Sequence, residues 1–190
     1  MILLYDKKIA IITPPKTGST TLLMSLCLPP YNGIFCIGPS GGGDYYDQHS
    51  IILPPAPFLW RKIAIVRHPL QRFVSLWGHL AREQIVNFEK VINIEEFVNI
   101  ISNKLHPFYF YQSNQNDILG DIEYEYVHTE NLTEELIDLD ILSENYKLPQ
   151  VNTFKYESST PDYKTILSTD MIEQLKWWWE PDCIRFNYSV

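Results

Sequence analysis

The longest uncharged β-branched run near the start of the chain is Ile9-Ala10-Ile11-Ile12-Thr13, a pattern that predicts a strand covered on both faces. Pro14-Pro15 ends it, because proline cannot donate to a sheet ladder. Polar residues 16–21 follow, then Leu22-Leu23-Met24-Ser25-Leu26, expected as a helix stopped by Pro29-Pro30. A strand, a tight polar turn and a helix in succession form the front of an α/β unit. A second strand is predicted at Lys62-Ile63-Ala64-Ile65-Val66, running into Arg67 and broken by His68-Pro69. From Leu70 to Ile85 the apolar residues fall at 70, 73, 74, 76, 77, 80 and 81, the spacing of an amphipathic helix.

Later elements are a helix over Ile94 to Lys104, a short strand at Ile122 to Val127, and acidic helical turns from Asn131 to Ser143. Asn131 or Thr133 would cap those turns. A last helix is expected from about Asp170 to Trp179, started by Thr169 or Asp170. Residues 31–57, rich in Gly, Pro and Tyr, predict a mobile loop with a short helical turn around Tyr45 to Ser50. The expected fold class is α/β, a small parallel sheet flanked by helices, in a single domain over residues 1–190.

Composition changes this picture in one respect. The apolar fraction of 45% and aromatic fraction of 14% suit a packed globular chain, and the net charge of −8 argues against general nucleic-acid binding. That charge is unevenly spread: residues 1–90 hold nine Lys/Arg against five Asp/Glu, and residues 91–190 hold six against eighteen. An anionic ligand is therefore expected in the first half. The three cysteines, Cys27, Cys36 and Cys183, have no metal-ligand spacing and read as free thiols of a reducing compartment. Residues 1–8 lack the pattern of a signal peptide, and no apolar run reaches membrane-spanning length, so a soluble cytoplasmic protein is expected.

Two stretches carry candidate chemistry. In Pro15-Lys16-Thr17-Gly18-Ser19-Thr20-Thr21 a glycine permits close backbone approach just where a helix begins. The first amides of that helix have no partners within it, hydroxyls add donors, and Lys16 adds positive charge, which together make a cradle for a phosphate-like anion. The plainer alternative is a strand-to-helix turn in which Ser19 or Thr20 merely caps. The nucleoside-triphosphatase loop G-x-x-x-x-G-K-[ST] is absent, and no acidic residue clearly ends a strand to hold magnesium. The second stretch is Arg67-His68-Pro69-Leu70-Gln71-Arg72-Phe73-Val74-Ser75-Leu76-Trp77. Open α/β sheets bind ligands at their carboxyl edge, so Arg67 should share an edge with the Lys16 turn. Guanidinium suits two-pronged phosphate binding. The plainer alternative is that Arg67 and Arg72 are surface charges and Ser75 fills a helix contact, and Arg72, at a periodic polar position, reads as a surface charge.

Together these stretches resemble the sulfotransferase superfamily, whose donor is 3′-phosphoadenosine-5′-phosphosulfate (PAPS). The family's P-K-[TA]-G-[ST]-[ST] turn corresponds to Pro15 to Thr20, and its R-x-P-x-x-R-x-x-S stretch corresponds to Arg67 and Ser75, eight residues apart. The carbohydrate-modifying branch is the most similar, with His68 here where Asp or Asn is usual. Tyr111-Gln112, Glu130-Asn131-Leu132, Asn152, Tyr163 and Asp182 to Tyr188 extend the similarity. The resemblance implies a P-loop-like sulfotransferase fold and a PAPS-dependent O-sulfotransferase with a small-molecule or glycan hydroxyl acceptor. It implies that Lys16 stabilises the leaving phosphate and that Thr17, Gly18, Ser19, Thr20 and Thr21 surround the 5′-phosphate, while Arg67 and Ser75 hold the 3′-phosphate. No metal, nucleic-acid partner or membrane is expected.

A general base must also take the acceptor proton. His49, between the two motifs, is the candidate, with Asp44, Asp47 and Glu83 as competitors and a surface histidine as the plainer alternative. His68 is expected to shape the donor pocket, whereas His79, His106 and His128 carry no signal. Trp177-Trp178-Trp179 reads as core more readily than as a sugar platform. Two alternatives remain open: a small nucleotide kinase, disfavoured by the missing motif and carboxylate, and a non-catalytic nucleotide-binding module.

Overall fold

A computed structural model describes residues 1–27, 29–31, 33–35, 38–39, 46–47, 60–83, 93–103, 113–149 and 161–190. The chain divides into two compact units, residues Met1–Arg67 with Leu119–Asn152, and residues His68–Ile118 with Thr153–Val190.

The first unit is built on a sheet. Its strands are β1 (Ile2–Leu4), β2 (Ile9–Ile12), β3 (Ile34–Phe35), β6 (Arg61–Val66) and β7 (Glu125–His128), in the spatial order β3-β1-β2-β6-β7. A separate antiparallel pair is formed by β4 (Gly38–Pro39) and β5 (Tyr46–Asp47). Strands β2, β6 and β7 run parallel. The expectation of a parallel sheet holds for these three alone, because β1 pairs antiparallel with both β2 and β3. The reversal between β1 and β2 is local: Lys8 takes a left-handed φ of 52° and its amide donates to the Tyr5 carbonyl.

Period-2 alternation sorts the strand side chains. Ile2, Leu4, Ile9, Ile11, Ile63, Ile65 and Val127 pack with Leu22 and Leu26 of α1 (Ser19–Leu26). Leu132 and Leu136 of a later helix, Leu132–Asp138, complete that core. Met1, Leu3 and Ala10 point the other way, against Trp60. The short strand begins three residues later than the expected Ile122, and Asn131 makes no side-chain cap. Tyr46–Asp47 is extended and paired with Gly38–Pro39, so the helical turn expected at 45–50 is corrected at those two residues: their backbone bonds across to a second strand. The remainder of that stretch lies outside the described residues.

The second unit is helical. It holds α2 (Pro69–Glu83), α3 (Ile94–Ser102), α4 (Gln115–Leu119, ending in the first unit), α6 (Tyr163–Ile166), α7 (Thr169–Gln174) and α8 (Lys176–Phe186); Leu132–Asp138 is α5. Side-chain caps at Asn93 and Ser168 start α3 and α7. The core joins Leu70, Phe73, Val74 and Leu76 to Phe97, Val98, Ile101, Leu175 and Trp178.

Two expectations fail here for identifiable reasons. Arg72 is not a surface charge but wholly buried. Helix α2 is covered on almost every side over residues 69–78, so its polar positions are enclosed as well. Arg72 donates from Nη1 to the Ser113 carbonyl at 3.1 Å and lies 5.2 Å from the centre of the Trp178 ring. The charge is answered by Asp182, also fully buried. That carboxylate accepts from the Gln115 amide at 3.0 Å, the Gln115 side chain at 2.9 Å and the Asn116 amide at 2.7 Å, so it caps α4 from a distant helix. Burial raises its pKa, opposed by Arg72 and these donors. The final helix also continues beyond Trp179 through Pro181, whose missing N–H forfeits only the bond to the Trp177 carbonyl. Consecutive helical residues lie ~100° apart, so the tryptophan run cannot all face inward. Trp178 is buried, Trp179 is partly so and donates to the Ile172 carbonyl, and Trp177 is 36% exposed.

Asp182→Ala leaves Arg72 buried without its counter-charge and removes the acceptor of the first two amides of α4. A loss of ~3–5 kcal/mol is expected in urea unfolding. Cys27 and Cys183 are free thiols, and burial with the Asp182 and Glu180 charges pushes Cys183 up to about 11. Its alkylation by iodoacetamide at pH 8 should be about 10-fold or more slower than in the urea-unfolded chain, the gap closing as pH rises.

Candidate functional site

The parallel register sets the site's position. Ile12 of β2 pairs with Ala64 of β6, and Val66 of β6 pairs with His128 of β7, so residues 13–18, Arg67 and Thr129 emerge from one carboxyl edge. All belong to the first unit.

After Pro14 the chain turns sharply. The Thr17 amide and hydroxyl both donate to the Pro14 carbonyl, at 3.3 and 2.8 Å, and Thr17 is fully buried. Two residues in this turn are left-handed, Lys16 at φ 69° and Gly18 at φ 87°. For Gly18 that conformation is free of steric cost; for Lys16 it stores strain of roughly 1 kcal/mol. Gly18 is the residue from which α1 starts, and the first helical bond runs from the Leu22 amide to its carbonyl. The amides of residues 19–21 therefore open the helix with no partner one turn back, directed out of its N-terminus. Ser19 is buried at this opening, and Thr20 and Thr21 are half-buried.

The turn is tied to both neighbouring strands. Arg67 donates from Nη1 to the Lys16 carbonyl at 3.2 Å. The Thr129 hydroxyl donates to the Val66 carbonyl at 2.9 Å, with the Thr17 carbonyl 3.4 Å away. The strained Lys16 is thus held from Arg67's side, and the middle of the turn from Thr129's side. A guanidinium has five N–H groups, so a bond to the turn occupies part of its donor set.

Lys16 to Thr21 follow one another through the turn into α1, and Arg67 meets them at the Lys16 carbonyl. Ser75 is a buried residue of α2 in the second unit. His68, in that unit too, stacks on Tyr163 with ring centres 4.7 Å apart, and its Nε2 lies 3.0 Å from the Ser189 carbonyl. His49, Asp44, Tyr111, Gln112 and Asn152 lie outside the described residues.

Two residues that the sequence left without a role stand at this edge. Thr129 pins the turn, and His128 beside it is held by Glu135 of α5: both carboxylate oxygens are 3.1 Å from its Nδ1. The seven-residue separation of His128 and Glu135 crosses a strand end, a 3-10 turn and a helix, so no single periodicity reveals it. Among the described residues no group of three or more His, Cys, Asp or Glu is placed to hold a metal, and no helix is long and apolar enough to cross a membrane. No protein-family model, curated protein or solved structure matches the chain.

A Cβ on Gly18 would meet only ordinary contacts, 3.6 Å from Leu132 and 4.0 Å from Thr129. Gly18→Ala should therefore cost only its backbone strain, ~1–2 kcal/mol in urea unfolding. A loss several times larger would reveal a clash that this geometry does not contain.

Proposed function

We propose that the chain is a PAPS-dependent O-sulfotransferase, which moves a sulfuryl group from 3′-phosphoadenosine-5′-phosphosulfate to the hydroxyl of a carbohydrate or similar acceptor. The observation that carries this reading is the hydrogen bond from Arg67 to the carbonyl of Lys16. It joins the two motifs on which the family resemblance rests, at the carboxyl edge where an α/β sheet receives its ligand.

Sulfuryl transfer asks the protein mainly to position two oxygens in line and to neutralise charge. Lys16 would meet the negative charge that builds on the leaving 5′-phosphate. The amides that open α1, with Ser19 and Thr20, would hold that phosphate in place. Arg67 would bind the 3′-phosphate, the group that separates this donor from ordinary nucleotides. On this reading the same turn would supply the P-loop-like character of the fold and the family's donor site.

Calorimetry with adenosine 3′,5′-bisphosphate, the desulfonated donor product, tests the reading. Binding is expected, with adenosine 5′-phosphate at least about 10-fold weaker, and Arg67→Ala should remove most of that difference, about 1.5–3 kcal/mol. Equal binding of the two nucleotides would reject the proposal.

A further inference from the structure

We propose that Thr129 is a specificity-determining residue of the donor site. Its hydroxyl sets the spacing between the turn that would hold the 5′-phosphate and the arginine that would hold the 3′-phosphate, so it acts by position and not by binding either group. This inference rests on the donor-site reading above and adds to it a residue for which the sequence assigned no role.

The need for such a tie comes from where the ladder stops. Strands β2 and β6 pair from Ile9 with Arg61 to Ile12 with Ala64. The turn at residues 14–18 and the strand end at Val66 and Arg67 lie beyond that last pair, so main-chain bonds between β2 and β6 do not fix their separation. Thr17 bonds inward, its amide and hydroxyl both donating to the Pro14 carbonyl. Those bonds close the turn on itself without attaching it to β6.

Thr129 is placed to supply the attachment. The ladder between β6 and β7 runs to Val66 with His128, so the next residue leaves β7 already anchored beside Val66. Its hydroxyl donates to the Val66 carbonyl at 2.9 Å and lies 3.4 Å from the Thr17 carbonyl. The first is the stronger bond, and the second is a weaker share of the same proton. One carbonyl belongs to the residue before Arg67, the other to the residue after Lys16. The methyl group bears on the same turn, since Cγ2 is 4.0 Å from where a Cβ on Gly18 would stand. Arg67 makes the other tie, from Nη1 to the Lys16 carbonyl at 3.2 Å. An arginine reaches through several rotatable bonds, whereas a half-buried β-branched threonine has a restricted χ1 and is the stiffer spacer.

A ligand with two anionic ends gains fully from both subsites only when their separation is set in advance. Without the Thr129 hydroxyl, part of what the second phosphate contributes goes into ordering the strand ends. A nucleotide with a 5′-phosphate alone engages one subsite and loses less. Thr129 therefore governs the preference for a 3′-phosphorylated nucleotide more than affinity for nucleotides in general.

The test is calorimetry of the full chain with adenosine 3′,5′-bisphosphate and adenosine 5′-phosphate, read as the ratio of the two dissociation constants. Thr129→Val removes the hydroxyl and keeps the branched shape; Thr129→Ser does the converse. The preference should fall about 3-fold or more in Thr129→Val and stay within about two-fold of wild type in Thr129→Ser. In an Arg67→Ala background, adding Thr129→Val should change the remaining ratio by less than about two-fold, because both residues act on one coupling. Urea unfolding of the same variants separates this role from stability alone. A lowered unfolding midpoint in Thr129→Val with the ratio intact would overturn the proposal, and so would an equal fall of the ratio in Thr129→Ser. Failure of the wild type to prefer the bisphosphate would overturn the donor-site reading itself. Should Thr129→Val fail to fold, Thr129→Cys, whose thiol is a weak donor, takes its place: a fallen ratio supports the role of Thr129 and an unchanged one overturns it.

Discussion

The parallel pairing of β2, β6 and β7 is the constraint on which the first unit depends. Parallel ladders send every strand's carboxyl end to the same edge, and the register then decides which residues meet there. Here it sets Ile12 beside Ala64 and Val66 beside His128. A slip of one residue in β6 would turn Ile63 and Ile65 out of the core they share with Leu22 and Leu136. It would also turn Arg67 away from the carbonyl of Lys16. Core packing and the geometry of the candidate site are therefore one specification: burial of alternate isoleucines fixes the arginine.

The turn after β2 holds a conformation that lysine does not favour by itself. It persists because hydrogen bonds from Thr17, Arg67 and Thr129 converge on the carbonyls of residues 14–17 or on their neighbours in β6. Strain over-determined by its surroundings is a feature of sites that bind or react, and here it coincides with the opening of a helix. The second unit uses charge differently. Arg72 and Asp182 are enclosed with Ser113, Gln115 and Trp178, where a buried carboxylate takes the first two amides of α4 while the Asn114 side chain takes the third. The attraction within such an enclosed pair is offset by the cost of taking both charges out of water, so its members depend on each other more than the fold gains from them.

The elements legible in the sequence are those whose signal is local. The β-branched runs of β2 and β6, the apolar spacing of α2, and the glycine before α1 each state their structure within a few residues. Strand β1 was not legible, since Ile2-Leu3-Leu4 is too short to show alternation and gains its identity only by pairing with β2. The burial of Arg72 was equally hidden. A periodic polar position on a helix reads as solvent-facing unless one knows that a distant segment and a later helix close over it. For the tryptophan run, the inward reading held for Trp178 and not for Trp177, because helical geometry separates consecutive side chains.

The amino-acid sequence alone determined that a strand would deliver Lys16 and Gly18 to the start of a helix, and that another would end at Arg67. These follow from apolar runs, prolines and a glycine, all acting on their immediate neighbours. Only the tertiary structure decided that the two strands lie side by side in parallel, that Thr129 locks the turn, and that His128 reaches Glu135 at the same edge. Such pairings join residues distant along the chain, and their free energy comes from burial and hydrogen bonds that do not exist until the sheet has formed.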